Sequence, residues 1–173
     1  VVTKLIAAGA LVDQATTTGA TPLFIAAQEG RLTVMTKLIA AGALVDKAMT
    51  TDNTTPLFIA AQNGHLTVVT KLIAAGALVD QATTTGATPL FIAAQEGHLT
   101  VMTKLIAAGA LVDKATTTSG STPLYIAALE GHTAIVSKLL QHGADKSIRG
   151  CQDLTPLEIA QQQGYAAIVA LLA

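Results

Sequence analysis

Three histidines recur along the sequence at positions that raise the question of metal binding. His65, His98 and His132 each follow a glycine, at spacings of 33 and 34 residues. Equivalent positions in stacked repeats lie roughly 8–10 Å apart, whereas the ligands of one ion must all lie within about 2 Å of it. The spacing therefore predicts that these imidazoles do not share a metal ion. We expect His142 to lie at a helix end rather than to act as a ligand.

Nucleophilic chemistry would need a serine or cysteine beside a base and an orienting group. Ser119 and Ser121 lie in a turn-forming segment without a histidine. Cys151 has Arg149 two residues before it, which could activate the thiol weakly, but a free surface thiol is the favoured interpretation. The sequence has no phosphate-binding loop, His-Glu-x-x-His motif or Cys-x-x-Cys motif. These observations predict a protein that is not an enzyme and has no cofactor or metal.

Two further patterns have ordinary explanations. Asn53-Thr54-Thr55 fits the acceptor sequence for N-glycosylation, but no signal region opens the chain, so we interpret the match as chance. A lysine recurs once per repeat, and we expect this row on the outer side of the second helix, as a solvated face. The near-zero net charge argues against an anionic surface as its partner. The row comprises Lys4, Lys37, Lys71, Lys104 and Lys138.

The composition excludes several classes of protein. Of the 173 residues, 51% are apolar and 12% are charged, with a mean hydropathy of +0.54, which is too apolar for a disordered chain. The apolar run over residues 5–12 is far shorter than the roughly 18–20 residues that span a bilayer. Ten basic and eleven acidic residues argue against a nucleic-acid groove. The lone Cys151 favours a reducing, cytoplasmic location, and the absence of an initial Met suggests a fragment.

An internal repeat dominates the sequence. Thr-Pro-Leu begins at residues 21, 55, 88, 122 and 155, at spacings of 33 or 34, which is typical of a stacked array. Residues 1–48 match residues 68–115 at every position except one, where Arg31 corresponds to His98. The nearly identical unit is therefore two repeats long. Recent duplication and deliberate construction would both produce this pattern.

Each repeat predicts two short helices. Thr21 can cap the first helix, with Pro22 at the first helical position and Gly30 at its end. The second helix is predicted over Leu32–Ala40, since its apolar residues fall on one face, and Gly42 ends it. Isolated helices of this length are marginal in water, so neighbouring repeats must bury their apolar faces.

These residues resemble the ankyrin-repeat family, most plainly over Gly86–Ala110, which fits G-x-T-P-L-x-x-A-A-x-x-G-H-L-x-x-V-x-x-L-I-x-x-G-A except that Met102 stands at the Val position. The resemblance implies an all-α solenoid of stacked helix-turn-helix repeats with projecting hairpin-like fingers. It implies one array over residues 1–173, in which residues 1–13 form a partial repeat without a first helix. Full helix pairs would start near residues 21, 55, 88 and 122, with a capping repeat from about residue 154.

The sequence departs from the family pattern at several positions. The usual His after Thr-Pro-Leu is replaced in all five units, by Phe24, Phe58, Phe91, Tyr125 and Glu158. The repeats that are 34 residues long carry an extra finger residue, within 49–54 and 116–121. In the last repeat, Gln161 replaces the second small residue and Thr155 with Glu158 fits a capping box, which together predict a C-terminal cap. By resemblance, the recurring histidines would bond loop backbone near the next repeat.

The resemblance also implies a function. Family members usually contact proteins through finger tips and the concave face of the first helices. In this sequence those positions are Thr17, Thr18, Gln28, Glu29, Asp52, Asn53, Gln62, Asn63, Thr84, Thr85, Gln95, Glu96, Thr118, Ser119, Leu129 and Glu130. We therefore expect a non-catalytic scaffold that binds a protein partner, not nucleic acid or a membrane. The alternative is a structural spacer, or a self-associating or engineered array, which could associate end to end through its uncapped N-terminus.

Overall fold

The computed structural model describes residues 1–173 and contains eleven α-helices and no β-strand. The first helices of the repeats are α2 (Pro22–Gln28), α4 (Pro56–Gln62), α6 (Pro89–Gln95), α8 (Pro123–Leu129) and α10 (Pro156–Gln163). The second helices are α1 (Val2–Ala7), α3 (Leu32–Ala40), α5 (Leu66–Ala74), α7 (Leu99–Ala107), α9 (Thr133–Gln141) and α11 (Ala166–Leu172). A short 3-10 turn, Cys151–Asp153, lies in the last finger.

Every first helix begins at a threonine cap, as the sequence predicted. The Thr21 hydroxyl accepts a 3.1 Å hydrogen bond from the Phe24 amide, and the corresponding threonines do the same at the other first helices. The following proline lacks the N–H that would otherwise remain unpaired. At α10, the Glu158 carboxylate also accepts a hydrogen bond of 2.7 Å from the Thr155 amide, which completes the predicted capping box.

The helices stack in two layers. Each first helix packs against its own second helix and against the first helix of the neighbouring repeat, and the second helices also pack side by side. Small residues such as Ala27 and Ala61, both completely buried, permit the close approach of the first helices. One core of 37 buried residues runs along the array. This arrangement confirms the predicted solenoid and explains why seven-residue helices are stable here.

Side-chain hydrogen bonds tie each repeat to the next. The Asp13 carboxylate accepts a hydrogen bond of 3.2 Å from the Leu44 amide of the next repeat. In the same way, Asp46 accepts from the Leu78 amide and Asp80 from the Leu111 amide. The Lys47 amine donates to the Asp13 carbonyl at 3.2 Å. These contacts fix the loops that lead from each second helix into the following finger.

The fingers are tight hairpin-like turns. The shorter ones close over five residues, as in the bond from the Thr83 amide to the Ala87 carbonyl, and the longer ones over six, as in Met49 to Thr54. The extra residue is accommodated by left-handed backbone at Asn53, which has φ of 63°. Neighbouring fingers share one backbone bond, such as Thr84 N–H to Asp52 carbonyl at 2.9 Å.

The two ends of the array differ in polarity. At the C-terminal end, Gln161 lies exposed where the internal repeats have a buried alanine. At the N-terminal end, the exposed fractions of Val1, Leu5 and Ile25 are 95%, 55% and 45%. Their duplicated counterparts, Val68, Leu72 and Ile92, are at most 6% exposed. Within residues 1–173, one end is therefore polar and the other apolar.

Candidate protein-binding surface

None of the sixteen predicted partner-binding residues is buried. The finger-tip residues Thr17, Thr18, Asp52, Asn53, Thr84, Thr85 and Thr118 are exposed, and Ser119 is half-buried. At the ends of the first helices, Glu29, Asn63, Glu96 and Glu130 are exposed, and Gln28, Gln62, Gln95 and Leu129 are half-buried.

An open groove of about 450 Å³ lies between the middle fingers and first helices α4 and α6. The structure brings seven of the predicted residues to its wall, namely Asp52, Gln62, Thr84, Thr85, Gln95, Thr118 and Ser119. The other nine lie outside it, chiefly at the first finger and at the turns between helices. Asp52 is the one charged side chain in the lining, so hydroxyl and amide groups dominate its hydrogen-bonding capacity.

Seven of the fourteen groove residues were not predicted from the sequence, and two of these seven are aromatic. Phe58 and Phe91 line the groove, each with about 8% of its surface exposed. They occupy the position after Thr-Pro-Leu at which the family pattern has His. The sequence shows this replacement, but it does not show that the two rings line the groove. The aromatic edges give the groove an apolar floor beneath polar walls.

Several predicted residues already have partners within the array. The Asn53 side-chain amide donates to the Ala82 carbonyl at 2.7 Å, and the Asn63 amide donates to the Gln28 carbonyl at 2.9 Å. The Thr83 and Thr85 hydroxyls are 2.9 Å apart and share a hydrogen bond. The Thr83–Thr85 bond lies in the wall of the groove, whereas the two asparagine bonds lie outside it and join neighbouring repeats.

The recurring histidines join neighbouring repeats. The Nε2 atom of His65 lies 3.0 Å from the Gln28 carbonyl, and His98 and His132 make the corresponding contacts to Gln62 and Gln95 at 2.9 and 2.8 Å. The predicted contact was to loop backbone near the next repeat. The observed acceptor is instead the last carbonyl of the preceding repeat's first helix, because each ring points back across the turn glycine.

The remaining candidates for chemistry lie in the last two fingers. Cys151 is exposed, and the Tyr125 hydroxyl donates to its carbonyl at 3.0 Å. Burial raises the pKa of Tyr125, and the nearby Cys151 thiol raises it further. The buried Ser121 hydroxyl accepts a hydrogen bond of 2.9 Å from the Ser119 hydroxyl. No histidine is among the hydrogen-bond partners of Ser121, so no imidazole base activates it. No cluster of three His, Cys, Asp or Glu side chains has a geometry suited to a metal ion.

Comparison with known families identifies the repeat. A family model described as ankyrin repeats in three copies matches residues 1–83, 38–116 and 90–173, so the matches together span the whole chain. No curated protein matches the sequence significantly. None of the eleven helices has both the length and the apolar character needed to cross a bilayer.

Proposed function

The chain belongs to the ankyrin-repeat family, and from this premise we propose that it binds a partner protein through its finger tips and first helices. Ankyrin repeats are generally protein–protein interaction modules and are typically non-catalytic. The groove between fingers and first helices is the observation that carries the proposal, because seven predicted residues converge there on a rigid support. In this proposal residues 1–173 act as one array, with residues 1–13 as a partial first repeat and a capping repeat from about residue 154.

The chemistry of the groove suits a protein segment. Its threonine hydroxyls and the Gln62 and Gln95 amides can pair with a partner's backbone, and the Phe58 and Phe91 edges can contact an apolar side chain. The ligand is proposed to be protein rather than nucleic acid or membrane, since the lining contains no basic residue. We propose a cytoplasmic location on the basis of the lone Cys151.

The proposal is tested by capture from a lysate with identification by mass spectrometry. A finger variant carries glutamate at Thr17, Thr51, Thr84 and Thr118. The matched control carries glutamate at Leu11, Leu44, Leu78 and Leu111, which are exposed outside the fingers, and the last repeat already has Asp145 at that position. A partner retained by the control and lost by the finger variant would support the proposal. Equal capture of a partner by the unaltered protein, the finger variant and the control would count against the proposal and favour the spacer alternative. Capture of no partner by any of the three would do the same.

A second candidate function is end-to-end self-association through the apolar N-terminal end of residues 1–173. Leu5 and Ile25 carry this candidate, because both are about half exposed while their duplicated counterparts are buried. Sedimentation velocity of this chain should then show a mass that rises with concentration, and Leu5→Asp with Ile25→Asp should abolish the rise. A monomer at every concentration would rule the candidate out. Failure here would leave the finger proposal unaffected.

A further inference from the structure

The second helices carry a row of lysines without acidic partners. Helices α3, α5, α7 and α9 each have a lysine at their sixth position, and α1 has one as well. We name this surface the lysine face; it comprises Lys4, Lys37, Lys71, Lys104 and Lys138. The one ion pair within 4 Å in the molecule joins Arg149 to Glu158, in the last repeat. None of the five lysine amines therefore has a carboxylate within 4 Å.

The carboxylates lie in other parts of the fold. No second helix contains Asp or Glu, and the aspartates that follow the second helices are bonded to backbone amides of the next repeat. The remaining acidic side chains lie in fingers, in the turns after first helices, or in the last repeat. The positive and negative charges nearly cancel in the net charge of −1, but they lie on different surfaces, and the second helices carry a row of positive charge.

The lysine face has a regular spacing. Helices packed side by side lie about 8–10 Å apart, so lysines at the same register recur at about that interval. A polyproline II segment rises about 3.1 Å per residue with three residues per turn, so every third side chain points the same way at intervals of about 9 Å. We propose that the lysine face docks an extended acidic segment of another protein, with a carboxylate at every third residue.

A groove beside the lysines could hold the backbone of such a segment. It has a volume of about 400 Å³ between α7 and α9, and Thr100, Thr103, Ser137 and Lys138 contribute to its lining. The Thr103 hydroxyl donates its proton to the Leu99 carbonyl at 2.8 Å, so its oxygen remains able to accept. A polyproline II backbone makes no internal hydrogen bonds, and these hydroxyls offer partners for it.

The composition of the face favours an acidic protein over other polyanions. Its cations are all lysines in a single row, without the arginines that recognise phosphate in a bidentate geometry. The second helices also lack Trp, Tyr and Phe, the residues that anchor surfaces in membranes or stack on bases. This surface is separate from the finger groove, and the proposal does not depend on the function assigned to that groove.

The first experiment titrates ¹⁵N-labelled protein with a designed peptide at about 20 mM salt, where screening is weak. The probe is an acetylated and amidated peptide of four consecutive Glu-Pro-Pro triplets. Its control is the isomer in which all four glutamates precede all eight prolines. The proposal expects saturable shifts at residues 36–38, 70–72, 103–105 and 137–139, and at least about fivefold tighter binding of the periodic probe, because only it can place carboxylates opposite successive lysines. Absence of saturable shifts, shifts centred on the fingers, or equal affinity for the isomer would overturn it.

The second experiment compares two variants with four neutralised charges each. Replacing Lys37, Lys71, Lys104 and Lys138 with Gln should weaken probe binding about tenfold, since each exposed pair contributes modestly. Replacing Glu29, Glu96 and Glu130 with Gln, and Asp52 with Asn, should not weaken it. Equal affinity of the two variants would overturn the proposal. Tighter binding of the unaltered protein to phosphatidylserine vesicles or duplex DNA than to the periodic peptide would also overturn it, in favour of a lipid or nucleic-acid partner.

Discussion

The Tyr125 hydroxyl donates a 3.0 Å hydrogen bond to the Cys151 carbonyl, and so joins the fourth first helix to the last finger. The other internal repeats have phenylalanine at this position and instead connect their fingers by a backbone bond. The last finger forms a 3-10 turn with left-handed backbone at Gln152 and Asp153, so its backbone follows a different path. The Ser121 hydroxyl also accepts from the Cys151 amide at 3.3 Å, so Tyr125 and Ser121 together connect the array to its final finger.

Tyr125→Phe should loosen the last finger. The substitution keeps the buried ring but removes the bond to Cys151, with an expected cost of about 1 kcal/mol in the free energy of unfolding. Amide hydrogen exchange should accelerate within residues 149–154 and remain unchanged in the other fingers. Phe91→Tyr serves as the control, because it adds a hydroxyl without the last finger beside it. Unchanged exchange in Tyr125→Phe would show that the bond does not hold this finger.

The C-terminal repeat should lose stability in acid through Glu158. Hydrogen bonds from the Thr155 amide and hydroxyl, with a smaller effect of Arg149, hold the pKa of this carboxyl below its ordinary value of 4.5. The ionised Glu158 carboxyl contributes to the free energy of unfolding. This contribution is fully present above the pKa of the unfolded state and is lost as the pH falls through the lower pKa of the folded state. Protection of the α10 amides, expressed relative to the intrinsic exchange rate at each pH, should therefore decrease as the pH falls below about 4.5, the ordinary value.

Glu158→Gln is the matched test of this pH dependence. The amide cannot ionise, so the variant should be less stable than the unaltered protein at neutral pH and should show a flatter response to acid in α10. Parallel acid responses of the two proteins would assign the loss of stability to other carboxylates, such as Asp145, whose pKa is lowered by its bonds to Ser147.

Two glycines with the same backbone conformation should respond differently to alanine. Gly97 and Gly109 both have positive φ, of 78° and 90°. A Cβ at Gly97 would lie 2.9 Å from the His132 ring, whereas a Cβ at Gly109 would meet nothing within 4 Å. We expect Gly109→Ala to cost about 1 kcal/mol from backbone strain, and Gly97→Ala to cost about twice that from strain and displacement of the ring. Urea unfolding measures both, and equal costs would contradict the assigned role of His132.

The duplicated sequence provides a matched pair for testing burial. Leu5 and Leu72 lie in the same local sequence, but Leu72 is completely buried and Leu5 is 55% exposed. Leu72→Ala should destabilise the protein by about 2–5 kcal/mol, and Leu5→Ala by less than about 1 kcal/mol, because little apolar surface is lost from the core. Similar costs in urea unfolding would indicate that the N-terminal helix is covered in solution.

The helices could be predicted from the sequence because their signals are local. Thr21 and Pro22 specify the start of a helix, and the apolar period over Leu32–Ala40 specifies the next one. The histidine contacts were harder, since His65 bonds to a carbonyl 37 residues earlier in the chain, and only the stacking geometry shows which repeat it meets. The groove position of Phe91 likewise depends on how the finger folds over the helix. The sequence predicted the lysine row on the outer side of the second helices, but the net charge of −1 does not show that the carboxylates lie in other parts of the fold.

The most direct test of the central claim is hydrogen exchange of the array with its captured partner bound. The proposal predicts protection of the finger backbone over residues 49–54, 83–87 and 116–121 and of first helices α4 and α6, with second helices α3, α5 and α7 unchanged. Protection confined to the second helices, or to the N-terminal end around Leu5, would contradict binding through the fingers and first helices.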